Sequence, residues 1–487
     1  MKRKMKIDEK KVVMARLPWD FTGLLASGSP HPRDIIWHLR FLYAAAILRN
    51  LGYKSVIIDG HLKYLPASEL AQKIINHRPE ILLLDVATPD IPYAIRLAEI
   101  VKPRLPKTKI WALGQHPSFS SEQLLAKNSH IDGCLKGEIY EPLAALANGT
   151  SGKNIPGASV KNGDKIVSIP PHSNSLNPDA LPLIDPSLLD LDAYRMFSVH
   201  APSFKPVRWG FLQTSWGCPF SCRFCSQTLR VSFGKKWTGQ SAERVADDMQ
   251  RLSRDYNISA FYFMDDIVTL DMKRIIELSE LIIKKRLKLF WAFQTYEGYL
   301  DEKILPMLKR AGCVAIKFGV ESGDPDILAQ SDKRVSLENA ERLAKAIKRA
   351  GISLTAYYMI GFPGETKEQM EKTFRIAKKI DSDMIQVAIY TPYPTSRGFD
   401  ELPDDVKKEL LDYPQRFSHY NSFLPINLSA VSDEELLDFQ RDFYFRYYLS
   451  PKKALKYLWK RGRYTIPQGT DSMLIIRTLG YLLNRVP

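Results

Sequence analysis

The stretch Gly210-Phe-Leu-Gln-Thr214-Ser-Trp-Gly-Cys218-Pro-Phe-Ser-Cys222-Arg-Phe-Cys225 runs from a short strand pattern into three cysteines. Only Cys134 and Cys313 complete the five cysteines of the 487-residue chain. A chance triplet at this spacing is on the order of one in a thousand or rarer. Three thiolates on one loop can each take one iron of a cubane cluster and leave the fourth iron without a protein ligand. Chemistry at a metal needs such an open position, whereas a structural site is closed by four ligands. A zinc ion would want a fourth Cys or His, yet none follows before Cys313 and the nearest upstream is His200. Cys134 and Cys313 stand alone and read as small buried hydrophobes. The triplet predicts an open 4Fe–4S site at Cys218, Cys222 and Cys225.

Downstream, strand patterns recur at Ala260–Met264, Phe290–Gln294, Val314–Val320, Ser353–Ile360 and Ile385–Tyr390, with amphipathic helices between. Helices at Glu302–Ala311 and Leu337–Ala350 are each closed by a glycine, Gly312 and Gly351. Counting Gly210–Thr214, six β/α units predict a partial (β/α)6 barrel whose working end is the strand carboxyl ends. Upstream, five strand patterns at Lys11–Met14, Ser55–Asp59, Ile81–Asp85, Lys109–Leu113 and up to Gly137 alternate with helices. That alternation predicts a doubly wound, Rossmann-like parallel sheet, with ligands outside the strand carboxyl ends. The expected divisions are 1–148 for this sheet, 149–205 for an irregular linker, 206–396 for the barrel and 397–487 for a helical, basic region. The fold class is α/β.

A chain this long exceeds one hydrophobic core. Its 45% hydrophobic and 25% charged residues are globular proportions and exclude wholesale disorder. The odd cysteine count points to a reducing compartment. No uninterrupted apolar run approaches a membrane span, and the basic N-terminus leads into too short an apolar stretch for a signal peptide. A cytoplasmic enzyme is expected. Net charge is +15, and the stretch 451–487, with one acid, holds about seven of those charges. It reads as a solvated helical face or, with the aromatic run 439–449, as a peripheral membrane-docking surface.

The CxxxCxxC loop after the first barrel strand resembles the radical S-adenosylmethionine superfamily. Phe224 matches the family's aromatic before the last cysteine. Phe263-Met-Asp265-Asp266 sits where the family contacts the cofactor's amino group. Gly319-Val-Glu321-Ser322-Gly323 is similar to its ribose motif, Met359-Ile-Gly361-Phe-Pro363-Gly364-Glu365 to its adenine-side motif, and Thr391-Pro-Tyr-Pro394 to the end of the sixth strand. The resemblance implies that Phe224, Asp265, Asp266, Glu321, Ser322, Gly361 and Pro394 contact S-adenosylmethionine.

The N-terminal sheet resembles the cobalamin-binding domain of one large subgroup. Thr88, Gly114-Gln115-His116 with Ser118, and Gly137-Glu138 carry that likeness, which implies that Thr88, Gly114, Gln115, His116, Gly137 and Glu138 hold cobalamin. Gln115 stands where the subgroup has a second glycine, Gly137-Glu-Ile-Tyr140 replaces Gly-Glu-Gly-Glu, and Trp216 replaces a common arginine. The Asp-x-His-x-x-Gly signature of a cobalt ligand is absent; Asp59-Gly-His61 only echoes it, and His31 lies in the first loop. The competing view is a vestigial domain that shapes a substrate cavity. The resemblance implies a cobalamin-dependent methyltransferase acting on an unactivated carbon through a 5′-deoxyadenosyl radical. Its alternative is cyclisation, coupling or rearrangement in lipid or tetrapyrrole biosynthesis. Either needs an electron donor, a reductase or a flavodoxin- or ferredoxin-type protein. Methylthiolation of transfer RNA would need three further N-terminal cysteines, and only Cys134 is there, so nucleic acid is not an expected partner. A lipid or a tetrapyrrole is the expected substrate.

Overall fold

The computed structural model describes residues 10–18, 36–128, 130–171, 177–194, 207–225, 236–414, 417, 424 and 426–449. His31, His200 and the basic stretch 451–487 lie outside the described residues.

Strands β1 (Lys11–Arg16), β2 (Lys54–Asp59), β3 (Ile81–Asp85), β4 (Lys109–Leu113) and β5 (Gly133–Leu135) alternate with helices. These are α1 (Leu39–Asn50), α2 (Ala67–His77), α3 (Ile91–Arg104), α4 (Gln115–Lys127) and α5 (Tyr140–Ala147). The strands lie parallel in the order β2-β1-β3-β4-β5. The apolar run of β3 is buried on both sides: Leu83 belongs to the same buried cluster as Phe41 and Leu42, and Leu82 and Leu84 to the one that holds Leu70 and Leu97. A parallel strand covered on both faces calls for such a run. Parallel pairing brings the strand carboxyl ends to one edge, with Arg16, Asp59, Asp85 and the turn after β4.

The stretch expected to be an irregular linker instead extends this sheet. Strands β6 (Ala158–Asn162) and β7 (Lys165–Ser168) form a hairpin, and β6 pairs antiparallel with β5, Leu135 opposite Ala158. The two-residue turn is Gly163-Asp164, between the paired Asn162 and Lys165, with Gly163 at φ +62°, the chemistry a tight hairpin prefers. Glycine and asparagine marked a turn here, not the absence of structure.

The barrel sheet holds β8 (Trp209–Leu212), β11 (Ala260–Phe263), β12 (Phe290–Thr295), β13 (Cys313–Glu321), β14 (Ser353–Ile360) and β15 (Met384–Ile389), parallel and in sequence order. A two-stranded ribbon of β9 (Ser215–Trp216) and β10 (Thr238–Gly239) flanks the cysteine loop. Helices α6 (Ala242–Tyr256), α7 (Met272–Lys284), α8 (Leu305–Arg310), α9 (Pro325–Gln330), α10 (Leu337–Arg349) and α11 (Lys367–Ile380) connect the strands. After β15 come α12 (Arg397–Asp400), α13 (Asp404–Asp412) and α14 (Asp433–Tyr448).

Helix α14 seals the open edge of β15. Val387 N donates to Tyr444 Oη at 2.8 Å, Ile385 N to Tyr448 Oη at 2.9 Å, and Gln440 Nε2 donates to Val387 O at 2.8 Å. Phe439, Phe443 and Tyr447 are buried beneath it. The described part of the aromatic run therefore satisfies a sheet edge that would otherwise offer unpaired backbone groups, and its buried rings face the barrel. Among the described residues no helix is long and apolar enough to cross a membrane.

The two sheets meet through aromatic rings. Trp37, ahead of α1, packs edge-on against Phe211 of β8 at 5.8 Å, and Tyr43 of α1 against Trp216 at 6.2 Å. Phe119 of α4 meets Phe399 of α12 at 6.1 Å.

Candidate active site

The cysteine loop is anchored from below. Asp265, at the end of β11, accepts from Thr214 N at 2.7 Å, Thr214 Oγ1 at 2.5 Å and Ser215 Oγ at 2.6 Å, with Arg274 Nη2 3.8 Å away. Burial pushes its carboxyl above the usual range despite Arg274 and these donors. Both oxygens are thus engaged in fixing where the loop begins, at a residue for which the resemblance implied a cofactor contact. Its neighbour Asp266 is half-buried and has no hydrogen-bond partner among the described residues. Burial and then the charge of Asp265 push it up to about 7.

Further along the loop, Arg223 N donates to Ser331 O at 2.9 Å and Gly398 N to Arg223 O at 2.9 Å. Phe220 stacks on Tyr296 at 5.4 Å, and Phe224 meets Phe362 edge-on at 6.1 Å. None of the five cysteines is in a disulfide. Burial pushes the Cys222 thiol up to about 11, opposed by Lys333 and reinforced by Glu321 and Cys218. The Cys225 thiol, though exposed, is raised by the protein mass around it and by Cys222, Asp266 and Cys218. The three sulfurs share one electrostatic neighbourhood.

Glu321 ends β13 on a bulge between Gly319 and itself, at φ +66°. Its carboxylate pairs with Lys333 Nζ at 2.5 Å, and Lys333 also donates to Gly319 O at 2.9 Å. Sequence reasoning missed Lys333. It lies in a loop, twelve residues beyond Glu321, and no periodicity marks it. Ser322, expected at the cofactor, is fully buried, accepts from Asp324 N at 3.1 Å and faces Thr373 Oγ1 at 3.2 Å. It holds the loop from behind. Gly361 stands at φ +80°, where an added Cβ would meet Leu436 of α14 at 3.0 Å. Pro394 is buried just past β15.

At the carboxyl edge of the N-terminal sheet, Asp85 accepts from Arg40 Nη1 with both oxygens at 2.9 Å and contacts His38 Nε2. Burial would raise the Asp85 carboxyl, but Arg40 and His38 hold it at about 2. His38 Nδ1 accepts from Phe41 N at 3.2 Å, capping α1. Gly114, at φ +109°, is glycine because an added Cβ would fall 2.0 Å from Asp85 Oδ1. The contact between His38 and Asp85 was not legible in the sequence, because it spans 47 residues. Ser118 Oγ donates to Gly114 O at 2.7 Å and accepts from Gly137 N at 2.9 Å, tying two strand ends together. Thr88 Oγ1 lies 3.5 Å from His116 Nδ1. His116 is 1% exposed, its Nε2 has no hydrogen-bond partner among the described residues, and burial lowers it to about 4. Gln115 and Glu138 are half-buried; burial pushes Glu138 up to about 7.

The model of the radical SAM superfamily matches residues 212–377, and that of the B12 binding domain residues 36–147. An uncharacterized methyltransferase of Pyrococcus horikoshii is 31% identical over 441 residues, covering 90% of this chain and 93% of the relative. The chain belongs to the B12-binding radical SAM family. It is a radical SAM enzyme. The anaerobic magnesium-protoporphyrin IX monomethyl ester cyclase of Rubrivivax gelatinosus is 29% identical, covering 86% of this radical SAM chain and 75% of its own. In fold the enzyme matches the radical S-adenosylmethionine methyltransferase TsrM of Kitasatospora setae, solved with cobalamin and a 4Fe–4S cluster bound. That match has a TM-score of 0.70 at 15% identity, covering 97% of this chain and 96% of the other.

The residues present fit both groups the family implies. Three neighbouring thiols on one loop, none of them in a disulfide and with Lys333 close to Cys222 and Cys225, suit an iron cluster. On the other domain, the orphaned Nε2 of a buried His116 needs a hydrogen-bonding partner that a ligand would supply.

Proposed function

We propose that this radical SAM enzyme is a cobalamin-dependent methyltransferase that acts on an unactivated carbon. The observation that carries the proposal is the likeness to a methyltransferase over 90% of the chain, with both cofactor-type edges built. Trp216 supports it further, because this residue lies two positions before Cys218 and packs on Tyr43 and so links the cysteine loop to the N-terminal domain.

When bound, the cluster and S-adenosylmethionine supply a 5′-deoxyadenosyl radical that removes a substrate hydrogen, and cobalamin supplies the methyl group. Cys218, Cys222 and Cys225 hold the iron. Asp266 takes the ammonium of S-adenosylmethionine and Lys333 its carboxylate, both by charge-assisted hydrogen bonds. Glu321 accepts from ribose hydroxyls, while Phe224, Gly361 and Pro394 flank the adenosyl group. Thr88, Gln115, His116, Gly137 and Glu138 face cobalamin. A reductase or a flavodoxin- or ferredoxin-type protein delivers the electron. The basic 451–487 stretch supports docking of this end on an anionic membrane surface from the cytoplasm.

The test is anaerobic reconstitution with iron, sulfide and cobalamin, followed by reduction in the presence of S-adenosylmethionine. Iron and cobalt in the purified protein, with both 5′-deoxyadenosine and S-adenosylhomocysteine among the products, is the expected result. The cyclase relative favours a second reading without net methyl transfer; iron without cobalt, and 5′-deoxyadenosine alone, would establish it instead.

A further inference from the structure

Parallel strands in register share a face, and the barrel's two faces differ sharply. An added Cβ on Gly210 would meet Ile258 and Phe261 on the helix side, where Phe263, Trp291 and Phe293 stack in a closed apolar layer. The other, concave face is polar. Gln294 pairs in register with Lys317, and Lys317 with Thr355. One step nearer the mouth, Gly319 pairs with Tyr357 and Tyr357 with Gln386. Gly319 places this face directly below the cofactor end, since an added Cβ there would run into Glu321 and Lys333. Gln294, Tyr357 and Gln386 on this face are partly exposed.

Lys317 is the anomaly on that face. It is 0% exposed, its Nζ has no hydrogen-bond partner among the described residues, and Nζ lies 4.5 Å from the centre of the Tyr262 ring. Tyr262 Oη in turn donates to Gln294 Oε1 at 3.4 Å. Neighbouring cations are matched, Lys333 by Glu321 and Arg274 by Asp265. A ring face offsets part of the cost of an ammonium. It does not replace an acceptor, and a buried charge without one is among the costliest arrangements a core can hold.

We infer that Lys317 binds an anionic group of the substrate, a carboxylate or a phosphoryl oxyanion, on the concave face of the barrel. The inference rests on the radical reading above and narrows its substrate to a hydrogen-bonding acid, excluding a plain hydrocarbon lipid. The oxyanion supplies the acceptor that Nζ lacks, with Thr355 and Gln294 beside it. Gln294, partly exposed and in register, is the side chain that turns aside to admit it.

Cluster-loaded, full-length protein is titrated calorimetrically with benzoate, phenyl phosphate and uncharged benzamide. Saturable binding of benzoate or phenyl phosphate, stronger than that of benzamide and weakened about tenfold or more in Lys317→Met, is the expected result. Preference for benzoate marks a carboxylate and preference for phenyl phosphate a phosphoryl group. Lys317→Arg keeps the charge and stays within about threefold of wild type. Should Lys317→Met melt too low to titrate, Gln294→Leu gives the second route, with affinity for the anion reduced about threefold or more. Equal affinity of Lys317→Met and wild type, or anions bound no better than benzamide, overturns the inference. Formation of 5′-deoxyadenosine by wild type is scored separately. Its absence removes the radical reading, while an anion affinity indifferent to Lys317 removes only this assignment.

Discussion

Lys333 Nζ sits 2.5 Å from Glu321 Oε1 and closes the bulge that turns Glu321 toward the barrel mouth. Burial by itself would lower the Lys333 ammonium, but Glu321 outweighs it and the group is held above its ordinary value. A raised amine contributes stability that is complete below the unfolded-state value, about 10.4 for lysine, and is lost as pH rises through the folded one. Lys333→Met strands a mostly buried carboxylate and is expected to cost about 3 kcal/mol. Urea unfolding at pH 8 measures the loss, and equilibrium dialysis should show weakened S-adenosylmethionine binding. Wild-type stability and affinity in the variant would remove Lys333 from the site.

Asp265 governs the start of the cysteine loop through Thr214 and Ser215. Asp265→Asn loses acceptor capacity in a fully buried setting, at a cost of about 1–3 kcal/mol. Because the loop then starts from a looser point, the reconstituted variant should retain less iron per chain than wild type. Full iron content with unchanged stability would mean that Asp265 does not position the loop.

His116 makes acid stability depend on one imidazole. Burial lowers its folded value from 6.5 to about 4, so the folded state resists the proton that the unfolded state accepts. The neutral form's contribution is present above pH 6.5 and drains away as pH falls toward 4, amounting to about 3 kcal/mol. His116→Gln should flatten the wild-type slope of stability between those pH values. An identical slope in the two proteins would show that other groups set it.

Tyr444 and Tyr448 each accept a backbone amide of β15, so removing a ring hydroxyl leaves an edge amide unpaired. Tyr444→Phe and Tyr448→Phe should each cost about 1 kcal/mol. Hydrogen exchange should accelerate at the Val387 and Ile385 amides respectively. Unaltered exchange at both would show that water serves the edge as well as α14 does.

The open cysteine loop and the order of the barrel strands were legible because each depends on neighbours along the chain. Three thiols within eight residues and glycine-closed helices are local patterns, and periodicity reports local burial directly. The Gly163-Asp164 hairpin was equally local, yet its glycine was mistaken for linker composition. Asp265 and Ser322 were legible as motif residues, but not as residues turned inward, since which oxygen meets which donor is set by loops converging from several strands.

By itself, the amino-acid order determined the fold class, the cysteine triplet and the presence of two cofactor-type domains. Tertiary packing alone decided the pairing of Lys333 with Glu321, the close approach of Asp85 to Gly114, the sealing of β15 by tyrosine hydroxyls, and the burial of the Lys317 ammonium. Each of these joins groups distant in the chain through a few ångströms of space, and burial, not spacing, sets the free energy of a charge or a polar atom.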